Sequence, residues 1–354
     1  MGRGGIRMRR LPSPWGPGRR AVRRRALLLA LLLLATAGCA PAGAPAARRP
    51  APAPGAAPPA ASAPQVGATG LEGVPAFSHV LVVVMENQPA SALLAPGRTP
   101  QLERLMRGGA TAVRYYAVAH PSLPNYLFLL GGSTFDVRSD CWFCYVDAPN
   151  LVDLLEAAGI SWKAYMEGLP SPGWLGPWYP PGDYAGKHDP FRYFQDIRRS
   201  PTRLRHLVGF DQLRQDLATG RLPAFAFIVP DLCHDGHDCP LAEADAWLGG
   251  FVRQVEASPA WDARSVLFVL WDEGSGADTS GAPGLSPGGG RTLLLALSPL
   301  ARAGYRSDLP FSHASLLRTV EDAWRLPRLG ASASPAVRPL APLFRDAATA
   351  GSAR

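Results

Sequence analysis

Short apolar runs rich in β-branched and aromatic residues recur along this chain between amphipathic stretches. His79–Met85 (HVLVVVM), Ala224–Val229 (AFAFIV) and Val266–Trp271 (VLFVLW) have no polar alternation, so they predict strands buried on both faces. Ile160–Tyr165 and Thr292–Leu297 predict further strands. Helical spacing of apolar positions marks Pro100–Arg107, Leu151–Ala158, Phe210–Ala218, Ala242–Glu256 and His313–Trp324. Asn150 reads as an N-cap and Gly159 as a stop, bracketing Leu151, Leu154 and Leu155 on one face. Strands alternating with helices predict an α/β fold, a three-layer α/β/α sandwich around a mainly parallel sheet.

Ligands of such sheets bind beyond the carboxyl ends of the strands, and here each strong strand runs straight into polar residues. Glu86-Asn87 follow Met85; Asp231 follows Val229-Pro230, with Cys233-His234-Asp235-Gly236-His237-Asp238 next; Asp272-Glu273-Gly274 follow Trp271. Three carboxylate-ended strands on one rim repel one another unless a cation sits among them. Oxygen donors with one or two imidazoles suit several divalent metals.

A nucleophile is offered by His120-Pro-Ser-Leu-Pro-Asn-Tyr126, where Ser122 falls at the start of a helix with Pro124 in its first turn. A helix N-terminus favours a phosphate beside that hydroxyl, and a metal activates it. A capping serine is the plain alternative. No Ser in the chain lies in a G-x-S-x-G elbow, and no P-loop or dinucleotide fingerprint follows a strand. Gly281–Gly290 has no helix after it and reads as a loop.

Charge changes the picture of the chain's ends. The net +8 comes with eleven Arg and no acid in residues 1–64, so the other 290 of the 354 residues hold 25 basic against 28 acidic groups. A basic nucleic-acid-binding body is excluded. The 10-residue apolar run Ala26–Ala35 behind a basic stretch predicts a signal peptide over 1–38. Thr36-Ala37-Gly38-Cys39 resembles a bacterial lipobox, which implies export and a membrane lipid anchor at Cys39. Residues 39–73, rich in Ala and Pro, predict a disordered tether, 74–346 one folded domain, and 347–354 a disordered tail. Export allows disulfides among Cys141, Cys144, Cys233 and Cys239, paired locally or crossed. Only two of the 36 basic residues are lysines, Lys163 and Lys187, so each is expected to face the pocket or a buried carboxylate. The aromatics Trp142, Trp162, Trp174, Trp178, Tyr179 and Tyr184 predict a packed region that contributes to a pocket rim.

Seven segments together resemble a known family. They are Val82–Gln88, Ala119–Thr134, Ala148–Pro170, Lys187–Phe194 (KHDPFRYF), Val229–Cys239, Val269–Gly274 and Ser312–Gly330. In this order they are similar to the bacterial and fungal phosphoesterases that include phospholipases C and metal-dependent acid phosphatases, within the alkaline-phosphatase-like superfamily. Asp272-Glu273-Gly274-Ser275-Gly276 replaces the Asp-Glu-His-Gly-Gly of the longer phospholipases C, so the chain looks more like the compact phosphatases. The resemblance implies a divalent-metal-dependent hydrolase of phosphoric esters, acting through a phosphoserine on a small phosphate ester or a phospholipid headgroup. It implies Ser122 as nucleophile and Glu86, Asn87, Ser122, Asp272 and Glu273 around the metal. Asp231, His237 and His313 would match a second metal position, or His237 and His313 would serve as phosphate donors or leaving-group acid. Asn87, His120, Lys187 and His188 would contact substrate. The alternatives are a phospholipase C-type diesterase and an inactive phosphate-binding lipoprotein.

Overall fold

The computed structural model describes residues 70–345 except Ser286. The signal peptide, Cys39, nearly all of the tether and the tail lie outside the described residues.

Strand order explains the long apolar runs. Among the described residues the main sheet runs Arg306–Ser307, Ala110–Tyr116, Arg291–Leu297, Ser265–Trp271, His79–Met85, Phe225–Val229, Trp162–Met166, Leu207–Val208. His79–Met85 is central and pairs in parallel with Ser265–Trp271 on one side and Phe225–Val229 on the other. Its alternate side chains enter two separate cores. Val80, Val82 and Val84 pack toward the helices Ser122–Gly131, Leu151–Ala157 and His313–Ala323. Leu81, Val83 and Met85 pack toward Pro100–Gly108, Phe210–Thr219 and Leu241–Glu256. A strand covered on both faces needs no polar positions, as its sequence shows. The three-layer, mainly parallel sandwich is the fold expected from the sequence.

Two elements differ from expectation. Ala110–Tyr116 is a strand that the pattern did not mark; it runs antiparallel to Arg291–Leu297, which itself runs antiparallel to Ser265–Trp271. Ile160 lies outside its expected strand, which starts at Trp162. The Asn150 cap is present, its side chain accepting from Val152 N–H while Asp153 reaches back to Asn150 N–H. Gly159 adopts φ 68° after that helix. Both disulfides are local, Cys141–Cys144 and Cys233–Cys239. No helix of the described residues is long and apolar enough to cross a membrane.

Candidate active site

Three adjacent strands deliver the carboxylates. Glu86 and Asp272 follow the paired ends Met85 and Trp271, and both are fully buried. The backbone stitches the rim together: Asp272 N–H donates to Met85 C=O at 2.9 Å, and Glu86 N–H to Asp235 C=O at 3.0 Å. Asn87 takes a left-handed φ of 53°, and its backbone N–H donates to Asp272 Oδ1 at 3.0 Å.

Ser122 is the first residue of the helix Ser122–Gly131, with Pro121 in the cap position. The hydroxyl is therefore not the capping group. It is buried, and Oγ donates to Glu86 Oε2 at 3.1 Å. One turn on, Tyr126 donates to Glu86 Oε1 at 2.6 Å and stacks on the His188 ring. His188 is buried with Nε2 3.2 Å from Glu86 Oε1 and Nδ1 3.4 Å from Asp235 Oδ2. His237 lies beside it, its Nδ1 2.6 Å from Asp238 and its Nε2 3.4 Å from the Lys187 ammonium.

The electrostatics are those of crowded, dehydrated carboxyls. Burial, then the charges of Asp272 and Asp235, push Glu86 well above the ordinary carboxylate range. Burial raises Asp235 likewise. Asp272 is raised to about 7 by burial and by Glu273. His188 is pushed well below its ordinary value by burial, then by Lys187 and His237. Asp272 Oδ2, Asp235 Oδ2 and His188 Nε2 are buried without a hydrogen-bond partner. Orphaned acceptors of this kind are costly. Glu86, His188 and His237 can bring one donor atom each within 4.8 Å of one another. A carboxylate with two imidazoles, next to orphaned carboxyl oxygens, fits a divalent cation; Glu167, Asp231 and His234 form a second group whose donor atoms come as close to one another.

The expected residues separate into two groups. Glu86, Asn87, Ser122 and Asp272 meet at the strand ends; Lys187, His188 and His237 border them. Glu273 is held by His120, whose Nδ1 lies 2.5 Å from Oε2 and whose Nε2 lies 2.9 Å from Asp278 C=O. His120 is thereby a clamp with both ring nitrogens engaged. Two other expected residues lie apart from the Ser122 cluster. Asp231 joins Glu167 and His234 instead, its Oδ1 accepting from the Cys233 and His234 N–H groups. His313 is fully buried, with Nδ1 2.9 Å from Tyr115 OH and Nε2 2.7 Å from Asp272 C=O. It supports the strand end and has no free nitrogen for a leaving group. Asp235 and Tyr126 were not expected. Tyr126 was legible four residues after Ser122, on the same helix face. Asp235 had no signal beyond its place in the His234–His237 run. Both lysines meet carboxylates: Lys163 pairs with buried Asp216 at 2.5 Å and Lys187 with Asp140 at 3.0 Å.

The strand-end carboxylates of a doubly covered sheet thus face a serine at a helix start. A Vibrio parahaemolyticus protein of the alkaline phosphatase superfamily shares the fold, at TM-score 0.50 and 13% identity over 73% of this chain and 70% of that one. The chain belongs to the Phosphoesterase family, whose model matches residues 92–327. It is 32% identical to a phosphatidylinositol-3-phosphatase of Mycobacterium tuberculosis, over 75% of this chain and 83% of that protein. It is 30% identical to a probable acid phosphatase of Kluyveromyces lactis, over 72% of this chain but 60% of the yeast protein. It is also similar to a hemolytic phospholipase C of Pseudomonas aeruginosa, at 26% identity over 50% of this chain and 30% of that protein. These relatives are phosphoric ester hydrolases by name, the class expected from the motifs.

Proposed function

We propose that the protein is an exported, metal-dependent phosphomonoesterase that works through a phosphoserine. The observation that carries this is Ser122: a buried hydroxyl at a helix start that donates to Glu86, with Asp235 Oδ2 and Asp272 Oδ2 buried and unpartnered in the same cluster. Glu86, Asp235, Asp272 and His188 would hold a divalent cation, which supplies charge neutralisation to the phosphate oxygens and favours the ionised hydroxyl.

The chain's own groups do the rest. Ser122 Oγ attacks phosphorus as the bond to the leaving oxygen breaks, and the hydroxyl proton passes toward Glu86 Oε2, which already accepts it in a hydrogen bond. Lys187 and His237 lie side by side where they can bind the phosphate and protonate the leaving oxygen. Hydrolysis of the phosphoserine then restores Ser122. The test is turnover of p-nitrophenyl phosphate with a series of added divalent metals. Ser122→Ala should abolish it while leaving metal binding intact. No hydrolysis of any phosphoester with any metal would favour a binding lipoprotein instead.

A second reading, a phospholipid substrate, is favoured by one feature. Of the exposed large apolar side chains among the described residues, Trp142 and Phe143 follow Asp140, the Lys187 partner, and Trp174 and Trp178 lie in the stretch before Lys187. Vesicles containing a phosphoinositide monoester, set against phosphatidylcholine and p-nitrophenyl phosphate, separate lipid phosphatase, phospholipase C and soluble-ester phosphatase. The expected export and lipid anchor are tested by acyl labelling that is lost in Cys39→Ala.

A further inference from the structure

Asp140 lies 18 residues beyond Ser122 in sequence and has returned to the start of the same helix. Its Oδ1 accepts from Leu123 N–H at 3.0 Å, the backbone group next to the nucleophile. Its Oδ2 accepts from the Lys187 ammonium, also at 3.0 Å. A helix-capping residue ordinarily stands just before the first turn; here that position is Pro121, which has no acceptor side chain. Asp140 therefore does two tasks with two oxygens. The Cys141–Cys144 disulfide closes the loop immediately after it, restricting where the carboxylate can go.

Lys187 shows what the second task achieves. An ammonium has three donor hydrogens. One is directed to Asp140 and one faces His237 Nε2 at 3.4 Å. A flexible four-carbon stem would otherwise let the charge wander. Both Lys187 and Asp140 are only partly exposed, at 21% and 28% of their side-chain surface, so the pair is shielded but reachable from solvent.

We infer that Asp140 is a positioning residue that fixes the distance between the Ser122 hydroxyl and the Lys187 ammonium, one carboxylate oxygen holding each partner. The inference rests on the proposed phosphatase reading, in which Lys187 binds the phosphate.

Asp140→Asn separates the two tasks, because the amide oxygen still accepts from Leu123 N–H whereas its NH2 cannot accept from Lys187. In the purified protein, Asp140→Asn should raise KM for p-nitrophenyl phosphate and the inhibition constant of inorganic phosphate about tenfold, with a smaller change in kcat. Asp140→Ala also frees Leu123 N–H and should lower kcat by about a further tenfold. A residue acting through Lys187 has little left to do without it, so Asp140→Asn added to Lys187→Met should change KM less than about twofold. Equal effects of Asp140→Asn with and without Lys187, or an unchanged KM, overturn the inference. Should Asp140→Asn not fold, Lys187→Met alone decides, since an unchanged KM and phosphate inhibition constant would leave Asp140 nothing to position. Wild-type protein that hydrolyses no phosphoester would end the functional reading separately; calorimetric binding of inorganic phosphate to the same variants would then test Asp140, an unaltered affinity overturning it.

Discussion

Two histidines, each flanked by two carboxylates, stand on the same rim and respond in opposite ways. His188 lies between Glu86 and Asp235, and His234 between Glu167 and Asp231. His188 is pushed well below the ordinary imidazole value, with burial the leading cause; His234 is raised to about 10 by its hydrogen bonds to Asp231 and then Glu167. The difference is hydration. Burial raises Glu86 and Asp235 well above the ordinary carboxylate range and is also the leading influence on His188 between them. Glu167 and Asp231 keep contact with solvent, and each has an oxygen within 3.3 Å of His234 Nδ1. The first cluster leaves Asp235 Oδ2 and His188 Nε2 orphaned, whereas the second closes on itself, with Glu167 also accepting from Asp231 N–H. A closed network is a clamp between the loops after two strands; an open one has room for a ligand.

The sharpest way to break this contrast is to remove one carboxylate from each cluster. Asp235→Asn should lower kcat/KM for p-nitrophenyl phosphate by about a hundredfold or more on the proposed reading, because it replaces a buried carboxyl that would help hold the cation. Asp231→Asn should change kcat/KM by less than about threefold while lowering the melting temperature. The reverse pattern would make Asp231 the functional carboxylate that its position after Pro230 first suggested.

Metal binding should discriminate the clusters next. A cation bound only by the folded state stabilises it by about 2.7 kcal/mol at a concentration one hundred times its Kd. A divalent cation should therefore raise the melting temperature of chelator-treated protein. His188→Gln should lose most of that rise, and His234→Gln should keep it. A rise that disappears in His234→Gln and survives in His188→Gln would move the metal to the outer cluster.

The comparison also marks what sequence patterns can convey. Glu86 and Asp272 were legible because a charge directly after a strand buried on both faces needs a reason. The choice between Asp231 and Asp235 was not. Asp231 lies just before the Cys233–Cys239 disulfide loop and Asp235 within it, where Gly236 turns the backbone at φ 90°. Sequence spacing does not encode that turn. His313 shows the converse: its motif position suggested chemistry, yet the fold uses both ring nitrogens to hold Tyr115 and the Asp272 carbonyl. The strand Ala110–Tyr116 escaped notice because it carries exposed Arg114 among mostly buried residues and lies near the sheet edge. The scarcity of lysine was informative, since each of the two reached a carboxylate that the apolar pattern could not identify.

The smallest expected effect is a pH dependence confined to the outer cluster. His234 has a folded-state value of about 10 against an ordinary 6.5. A group whose folded value is raised contributes stability fully below its unfolded value and loses it as pH rises through the folded one. The melting-temperature difference between wild type and His234→Gln should thus be largest just below pH 6.5 and shrink steadily toward pH 10. On the acid side the pair persists until its carboxylates protonate, and Asp231 is held below its ordinary value, helped most by the His234 hydrogen bond although burial opposes it. A difference that stays constant from pH 6 to 10 would mean that His234 contributes packing on Trp247 and not charge. The clamp would then be held by shape, and the contrast with His188 would rest on the orphaned pocket atoms alone.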